Sequence, residues 1–256
     1  MKATTIAIAG KGGVGKTLTA GLLVRHLADK AGPVLAVDAD ANANLNEVLG
    51  IEQGESVGTV REEMKRLAGQ MPGGMTKPEF IEYKVETSLS ESEHFDLLVM
   101  GRPEGPGCYC YANNLLRDVL VRVCRRYRYV IVDNEAGMEH LSRRLMQDLD
   151  LLLIISDPTI RGLKTALRLS QVPEEVQTRV AKKLLVVNRV RNGLSPEAQQ
   201  LIDDSQLQLL GTIDEDPQVT RYDASPGELC ALFPDSNMAR AVAHLIGGYL
   251  SSEDHR

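Results

Sequence analysis

The segment Gly10-Lys11-Gly12-Gly13-Val14-Gly15-Lys16-Thr17 decides the fold of this 256-residue chain. An apolar run with β character, Thr4 to Ala9, precedes it, and a helical pattern, Thr17 to Ala31, follows it. The segment therefore matches G-x-x-x-x-G-K-[ST] between a strand and a helix, the context in which this pattern cradles phosphate groups. Its glycines let successive N–H groups point at phosphate oxygens, and the helix N-terminus adds a partial positive charge.

Two side chains of this loop have specific predicted roles. We expect Lys16 to reach the β- and γ-phosphates of a nucleotide and the Thr17 hydroxyl to ligate Mg²⁺. A Gly-rich turn without a ligand is the structural alternative. The residues predicted to contact the nucleotide here are Gly12, Gly13, Val14, Gly15, Lys16, Thr17 and Leu18.

Apolar runs alternate with helical patterns along the whole chain, which predicts an α/β fold with a doubly wound, mostly parallel sheet flanked by helices. No internal repeat or low-complexity linker marks a boundary, so residues 1–256 are predicted to be one domain built around the phosphate loop (P-loop). The least regular stretch, Gly50 to Lys77, is expected to decorate the surface. The predicted strands are Thr4 to Ala9, Pro33 to Asp38, Phe95 to Met100, Tyr129 to Asp133, Leu149 to Ile155, Lys183 to Asn188 and Gln208 to Ile213. The predicted helices are Thr17 to Ala31, Lys77 to Ser90, Asn113 to Arg126, Leu163 to Ser170 and Asn237 to Leu250.

The composition excludes several classes of protein. A formal net charge of -6 argues against holding nucleic acid or an anionic membrane by bulk charge. The longest apolar run, Leu149 to Ile155, is too short to span a bilayer. The apolar run that ends at Gly10-Lys11 is too brief for a secretory signal, so a cytoplasmic protein is predicted. In that compartment cysteines are expected to be thiols or metal ligands.

Carboxylates follow two of the predicted strands. Asp38 and Asp40 lie at the carboxyl end of the second strand, and Asp133 ends an apolar run in the manner of a Walker B element. This edge of a parallel sheet is where ligands bind, and such carboxylates suit Mg²⁺ coordination and orientation of an attacking water. We assign Mg²⁺ to Thr17, Asp38 and Asp133. The structural alternative for Asp38 is a polar residue at the end of the strand that caps the next helix.

The loop pattern K-G-G-x-G-K-T resembles the deviant Walker A motif of the MinD, ParA, ArsA and nitrogenase iron-protein group. The resemblance implies that Lys11 crosses a dimer interface to the nucleotide of a partner subunit, that Asp40 orients or activates water, and that Asp38 acts near Mg²⁺. Asn134-Glu135-Ala136-Gly137 is similar to the family's switch II, in which the glycine N–H, here Gly137, senses the γ-phosphate. A solvated loop lysine is the alternative for Lys11.

Two segments near the C-terminal end resemble the family's adenine-recognition elements. Asn188 and Arg189 follow one predicted strand, and Ile213 to Val219 follow the next. The resemblance implies that the Asn188 amide reads the base edge and that ATP is bound in preference to GTP. An Asn after a strand is otherwise a common turn residue.

A Cys-x-Cys motif, Cys108 and Cys110, follows the predicted strand Phe95 to Met100 and is expected at the same sheet edge as the phosphate loop. Two thiolates are half of a closed metal site, and a two-fold homodimer would supply four, enough for tetrahedral Zn²⁺ or square-planar Ni²⁺. Without that context the pair could equally be incidental thiols. Cys124 and Cys230 lie among apolar residues and are expected to be core thiols.

The stretch from Gly101 to Asn114 resembles the CooC-type accessory ATPases of carbon monoxide dehydrogenase maturation and the similar factor of acetyl-CoA synthase. The resemblance implies a homodimeric ATPase that uses ATP and Mg²⁺ to insert nickel into one of these client enzymes, with no nucleic acid or membrane partner. The alternative is a positioning or partitioning ATPase of the MinD or ParA kind, without metal delivery.

Overall fold

The computed structural model describes residues 3–40, 42, 44–67, 72–101, 110–135, 148–222 and 235–253. Within these residues eight strands form one sheet: β1 Thr4–Gly10, β2 Val34–Ala39, β3 Ser90–Glu91, β4 Phe95–Val99, β5 Tyr129–Asn134, β6 Asp148–Ser156, β7 Arg179–Val190 and β8 Gln208–Asp214. Their order across the sheet is β3-β4-β2-β5-β1-β6-β7-β8. Every neighbouring pair is parallel except β3 and β4, so the predicted doubly wound, mostly parallel sheet is confirmed.

Helices cover both faces of this sheet. One core layer joins α1 and the C-terminal helices to side chains such as Ile6, Ile8 and Ile131. The other layer joins the helices on the opposite face to the alternate residues, among them Ala7 and Val130. In the described residues the helices are α1 Lys16–Ala31, α2 Leu45–Leu49, α3 Val57–Arg66, α4 Lys77–Thr87, α5 Cys110–Cys124, α6 Ile160–Leu169, α7 Val172–Glu175, α8 Pro196–Asp203, α9 Pro217–Tyr222, α10 Asn237–Val242, a π-helical turn Ala243–Gly247 and α11 Gly248–Glu253.

The strand order fixes where a ligand can bind. β1 lies between β5 and β6, and the chain passes to β2 on one side of β1 and later to β6 on the other. Such a reversal opens a crevice beyond the carboxyl ends of the strands. The loop that follows β1 therefore sits at the position that α/β proteins use for ligands.

The structure corrects the sequence analysis in several places. The stretch Gly50 to Lys77 is not wholly irregular, since it contains α3, which is anchored by the buried Val57 and Val60. A short antiparallel strand, β3, and the helices α2, α7, α8 and α9 were missed. The helix predicted to end at Ser90 ends at Thr87. The helix predicted to begin at Leu163 begins at Ile160, because the Thr159 hydroxyl caps it by accepting from the Gly162 N–H at 3.0 Å.

None of the helices in the described part of the chain has the length and apolar character that a membrane span requires.

Candidate functional site

The phosphate loop is shaped by glycines at its two ends. A Cβ on Gly10 would lie 2.3 Å from the Ile155 carbonyl oxygen, so only glycine fits where β1 passes β6. Gly15 immediately precedes α1 with φ +94°, a left-handed conformation that side chains disfavour. In the described residues no side chain caps α1. The first N–H groups of this helix are therefore available to a phosphate bound at the loop. This geometry suits phosphate binding.

Lys16 supplies positive charge at the centre of the loop. Its side chain is buried, with 7% of the residue exposed, and Nζ donates to the Lys11 carbonyl oxygen at 3.3 Å. Burial lowers the pKa of Lys16, and the charges of Asp133, Asp40 and Glu135 oppose that shift. An ammonium held against carboxylates in a site of this kind is poised to neutralise a phosphate oxygen.

Two carboxylates lie side by side under this loop. Asp38 and Asp133 are register partners on β2 and β5, and strand alternation places both on the face covered by α1. Asp38 is fully buried and accepts from the backbone N–H groups of Asp40 at 3.0 Å and Leu45 at 2.9 Å. Burial raises the pKa of Asp38 to about 6, against the effect of these two hydrogen bonds.

Asp133 is the less satisfied of the pair. It is 1% exposed, and its Oδ1 atom has no hydrogen-bond partner. The Thr17 hydroxyl donates to its carboxyl group, and burial raises the pKa of Asp133 to about 7. A buried carboxylate oxygen without a partner, beside a second carboxylate and a hydroxyl, is a set of hard oxygen ligands. The residues present therefore fit Mg²⁺.

The other predicted catalytic residues lie at the rim of the site. Asp40 is half-buried, and its carboxylate accepts from the Asn42 N–H at 2.8 Å. Lys11 is exposed, and its own carbonyl oxygen takes the contact from Lys16. The structure thus places Lys16, Asp38, Asp40 and Asp133 around one point and leaves the Lys11 side chain in contact with solvent.

A cavity of about 270 Å³ adjoins the phosphate loop. The two segments with predicted roles in adenine recognition converge there with the first turn of α1. The cavity is lined by Gly15, Leu18, Asn188, Arg189, Asp214, Glu215, Asp216, Val219 and Met238.

Sequence reasoning placed Asp216 within a predicted adenine-recognition segment without giving it a role of its own, and it did not single out Met238. The buried Asp216 carboxylate accepts from the N–H groups of Gln218 at 2.9 Å and Met238 at 3.0 Å, which ties α9 and α10 to the cavity wall. An Asp directly before Pro217 is a common helix-start signal and was the only local hint.

Gly137 and the cysteines are the remaining residues with a predicted role or location, and the structure describes only part of this set. Gly137, Cys108 and Cys230 lie outside the described residues. Cys110 is the first residue of α5, and its side chain is not described. The described part of the chain contains no cluster of three or more His, Cys, Asp or Glu side chains that could hold a metal ion. Cys124 packs against the core, as predicted, and burial raises the pKa of its thiol to about 11.

The comparison with protein families decides the classification. Residues 5–226 match the CobQ/CobB/MinD/ParA nucleotide-binding domain family. The chain belongs to this family. Nucleotide binding at the loop of this MinD/ParA-type protein thus agrees with the geometry above, and the motif-based assignment to the group is confirmed.

Two relatives are similar to this chain in sequence, and one solved structure is similar to it in fold. An uncharacterized ATP-binding protein of Methanocaldococcus jannaschii is 42% identical over 224 residues, which cover 85% of this chain and 87% of that protein. The carbon monoxide dehydrogenase accessory protein CooC of Rhodospirillum rubrum is 32% identical over 232 residues, with coverage of 85% and 86%. The Pyrococcus furiosus cell division ATPase MinD has the same fold, with a TM-score of 0.68, 22% identity and coverage of 98% and 99%.

Proposed function

We propose that this MinD/ParA-family protein is a homodimeric, Mg²⁺-dependent ATPase, folded as one domain, that couples ATP turnover to the binding and delivery of nickel. The client would be carbon monoxide dehydrogenase or acetyl-CoA synthase. The observation that carries the ATPase half is the buried Asp38 and Asp133 pair, with its unpartnered oxygen, directly under a glycine-shaped phosphate loop.

Each residue of the site has a definite task in this proposal. The loop N–H groups and Lys16 bind the phosphates and neutralise the charge that develops in the transition state. Thr17, Asp38 and Asp133 would hold Mg²⁺, which would supply positive charge to neutralise the phosphates. Asp40, at the rim, orients the attacking water. The exposed Lys11 completes the neutralisation from the partner subunit, so that turnover depends on dimerisation.

The nickel half rests on the Cys-x-Cys motif and on the relative named above. Cys108 and Cys110 follow β4 in the sequence, and the motif of one chain supplies two thiolates. Two chains facing each other across a two-fold axis would offer four, which is enough for Ni²⁺ or Zn²⁺. The 32% identity to the CooC accessory protein supports nickel as the cargo.

Anaerobic native mass spectrometry tests this half. Reduced protein is titrated with Ni²⁺ and Zn²⁺ beside the double variant Cys108→Ala, Cys110→Ala, with Cys124→Ser as the matched control because that partly buried thiol packs against the core. We expect one metal ion per two chains, lost in the double variant and kept in the control. A lack of stoichiometric, cysteine-dependent metal would exclude the metal site.

A positioning or partitioning ATPase is the second candidate. Helix α6 exposes Arg161, Lys164 and Arg168 along one face and contains no acidic residue, which is the kind of surface that binds phosphate backbones. If the protein works in this way, ATP should induce salt-sensitive binding to duplex DNA or to anionic vesicles, and Arg161→Glu with Lys164→Glu should abolish it. The nickel proposal expects no such binding.

A further inference from the structure

The side chain of Asn188 links β7 to the phosphate loop. Asn188 is 4% exposed and lies on the face of the sheet covered by α1. Its Nδ2 atom donates to the Val14 carbonyl oxygen at 2.8 Å, between residues 174 positions apart in the chain. Its Oδ1 atom accepts from the Arg189 N–H at 2.9 Å. The amide therefore spans the gap between the loop and the wall of the adjoining cavity.

The next loop residue is also held against this amide. A Cβ built on Gly15 would lie 2.6 Å from the Asn188 Nδ2 atom, closer than any carbon can approach. Together with its φ of +94°, this contact explains why the position requires glycine. Asn188 thus touches two consecutive residues of the loop.

The direction of the Val14 carbonyl matters for phosphate binding. In a trans peptide the C=O of one residue and the N–H of the next point in opposite directions within one plane. A hydrogen bond that holds the Val14 carbonyl toward Asn188 therefore turns the Gly15 N–H away from Asn188 and into the loop. A loop whose carbonyl turned inward would present a negative dipole to phosphate instead.

We infer that Asn188 is a positioning residue for the phosphate loop: it fixes the Val14–Gly15 peptide in the orientation that binds phosphate, whatever base the nucleotide carries. This role is separate from the base reading that the family resemblance implies. An Asn amide has a second N–H and further acceptor capacity, so one side chain can serve the base and the loop together. The inference rests on the proposed nucleotide site.

A ligand without a base separates the two roles. Calorimetric titration measures the Kd of Mg²⁺-tripolyphosphate and of Mg²⁺-ADP for the wild type and for Asn188→Ala. We expect the Ala variant to bind both ligands about tenfold more weakly, the usual effect of losing one buried hydrogen bond. The matched control is Gln199→Ala, which removes an exposed amide of α8. It should bind both ligands as the wild type does.

Three other results would overturn the inference, and they are distinguishable. Wild-type affinity of Asn188→Ala for tripolyphosphate, with weakened ADP binding, would mean that Asn188 reads the base only. Unchanged affinity for both ligands would mean that it does neither. Failure of the wild type to bind either ligand would remove the proposed nucleotide site itself.

A spectroscopic measurement excludes a merely structural effect. In the wild type, tripolyphosphate should shift the Gly15 amide proton resonance downfield as that N–H gains an acceptor. The shift should shrink in Asn188→Ala and persist in the control. If melting curves show that Asn188→Ala does not fold, Asn188→Ser replaces it in both measurements, since serine is too short to reach Val14.

Discussion

At the scale of single residues, the buried Asp133 carboxylate lowers the stability of the metal-free protein. The Asp133 carboxylate is buried with one oxygen unpartnered, and the nearby charge of Lys16 does not offset this burial, since the pKa of Asp133 is raised to about 7. We expect Asp133→Asn to raise the melting temperature of the metal-free, nucleotide-free protein at neutral pH by several degrees. The same variant should lose Mg²⁺-dependent ATP turnover.

Differential scanning fluorimetry in EDTA checks this prediction, followed by a phosphate-release assay with Mg²⁺-ATP. Asp118→Asn is the matched control, because that carboxylate is exposed on α5 and its neutralisation should leave both quantities unchanged. A lower melting temperature for Asp133→Asn would show that this carboxylate stabilises the empty site.

A second residue-scale prediction concerns His26 on α1. Its ring lies against Gly247 of the π-helical turn, where a Cβ would come within 2.3 Å of the Nε2 atom. Burial lowers the pKa of His26, and Lys30 lowers it further against the opposing charge of Asp29. Because the folded-state pKa lies below the unfolded value near 6.5, the folded protein resists protonation. The His26 ring therefore does not change the free energy of unfolding above pH 6.5, and it lowers that free energy as the pH falls below 6.5.

The wild type should therefore lose more thermal stability between pH 7 and pH 5 than His26→Gln does. Melting temperatures measured across that range for the two proteins give the difference directly. Parallel curves for the two proteins would mean that His26 does not contribute to the pH dependence.

At the scale of elements, α5 is held by its apolar stripe more than by its ion pairs. Leu120 is 4% exposed and packs in the core, whereas Arg122 pairs with Glu82 of α4 at 3.0 Å on the surface. Leu120→Ala should lower the free energy of unfolding by roughly 2–5 kcal/mol, the range for truncating a buried leucine. Arg122→Ala should lower it by less than about 1 kcal/mol. Urea denaturation of both variants distinguishes the two contributions, and comparable losses would contradict this account.

Element by element, the sequence predicts what local pattern dictates and misses what depends on distant contacts. β1, β2 and β5 are apolar runs buried on both faces, which is why they could be found without a structure. The sequence of α3 offers Val57 and Val60 before a stretch dominated by charged residues, which is too little apolar spacing for a recognisable periodic pattern.

The candidate site likewise contains features that the sequence predicts and features that it does not. The phosphate loop and the Asp38 and Asp133 pair were predictable because a motif and a strand end place each of them. The bond from Asn188 to Val14 and the bonds from Asp216 to α9 and α10 were not, since they join segments whose proximity is set only by the sheet order.

At the scale of the whole molecule, the charges of one chain leave the proposed ATPase incomplete. Lys16 is the buried cation of the described site, and it already faces Asp133 and Asp40. Lys11 is exposed at the edge of the loop, where a second chain can approach it. We expect Lys11→Ala to keep ATP binding and dimerisation but to lose at least about a hundredfold in turnover, as removal of a charge-stabilising donor does elsewhere.

Mixing two inactive variants tests whether this lysine acts between subunits. Lys11→Ala and Asp40→Ala should each turn over poorly alone. In a mixed dimer, the site of the Lys11→Ala chain keeps its own Asp40 and receives an intact Lys11 from the partner. An equimolar mixture forms mixed dimers in about half of the cases, each with one complete site, so about a quarter of wild-type activity should return. If the mixture stays inactive although light scattering shows dimers, Lys11 acts within its own chain and the dimer does not gate hydrolysis.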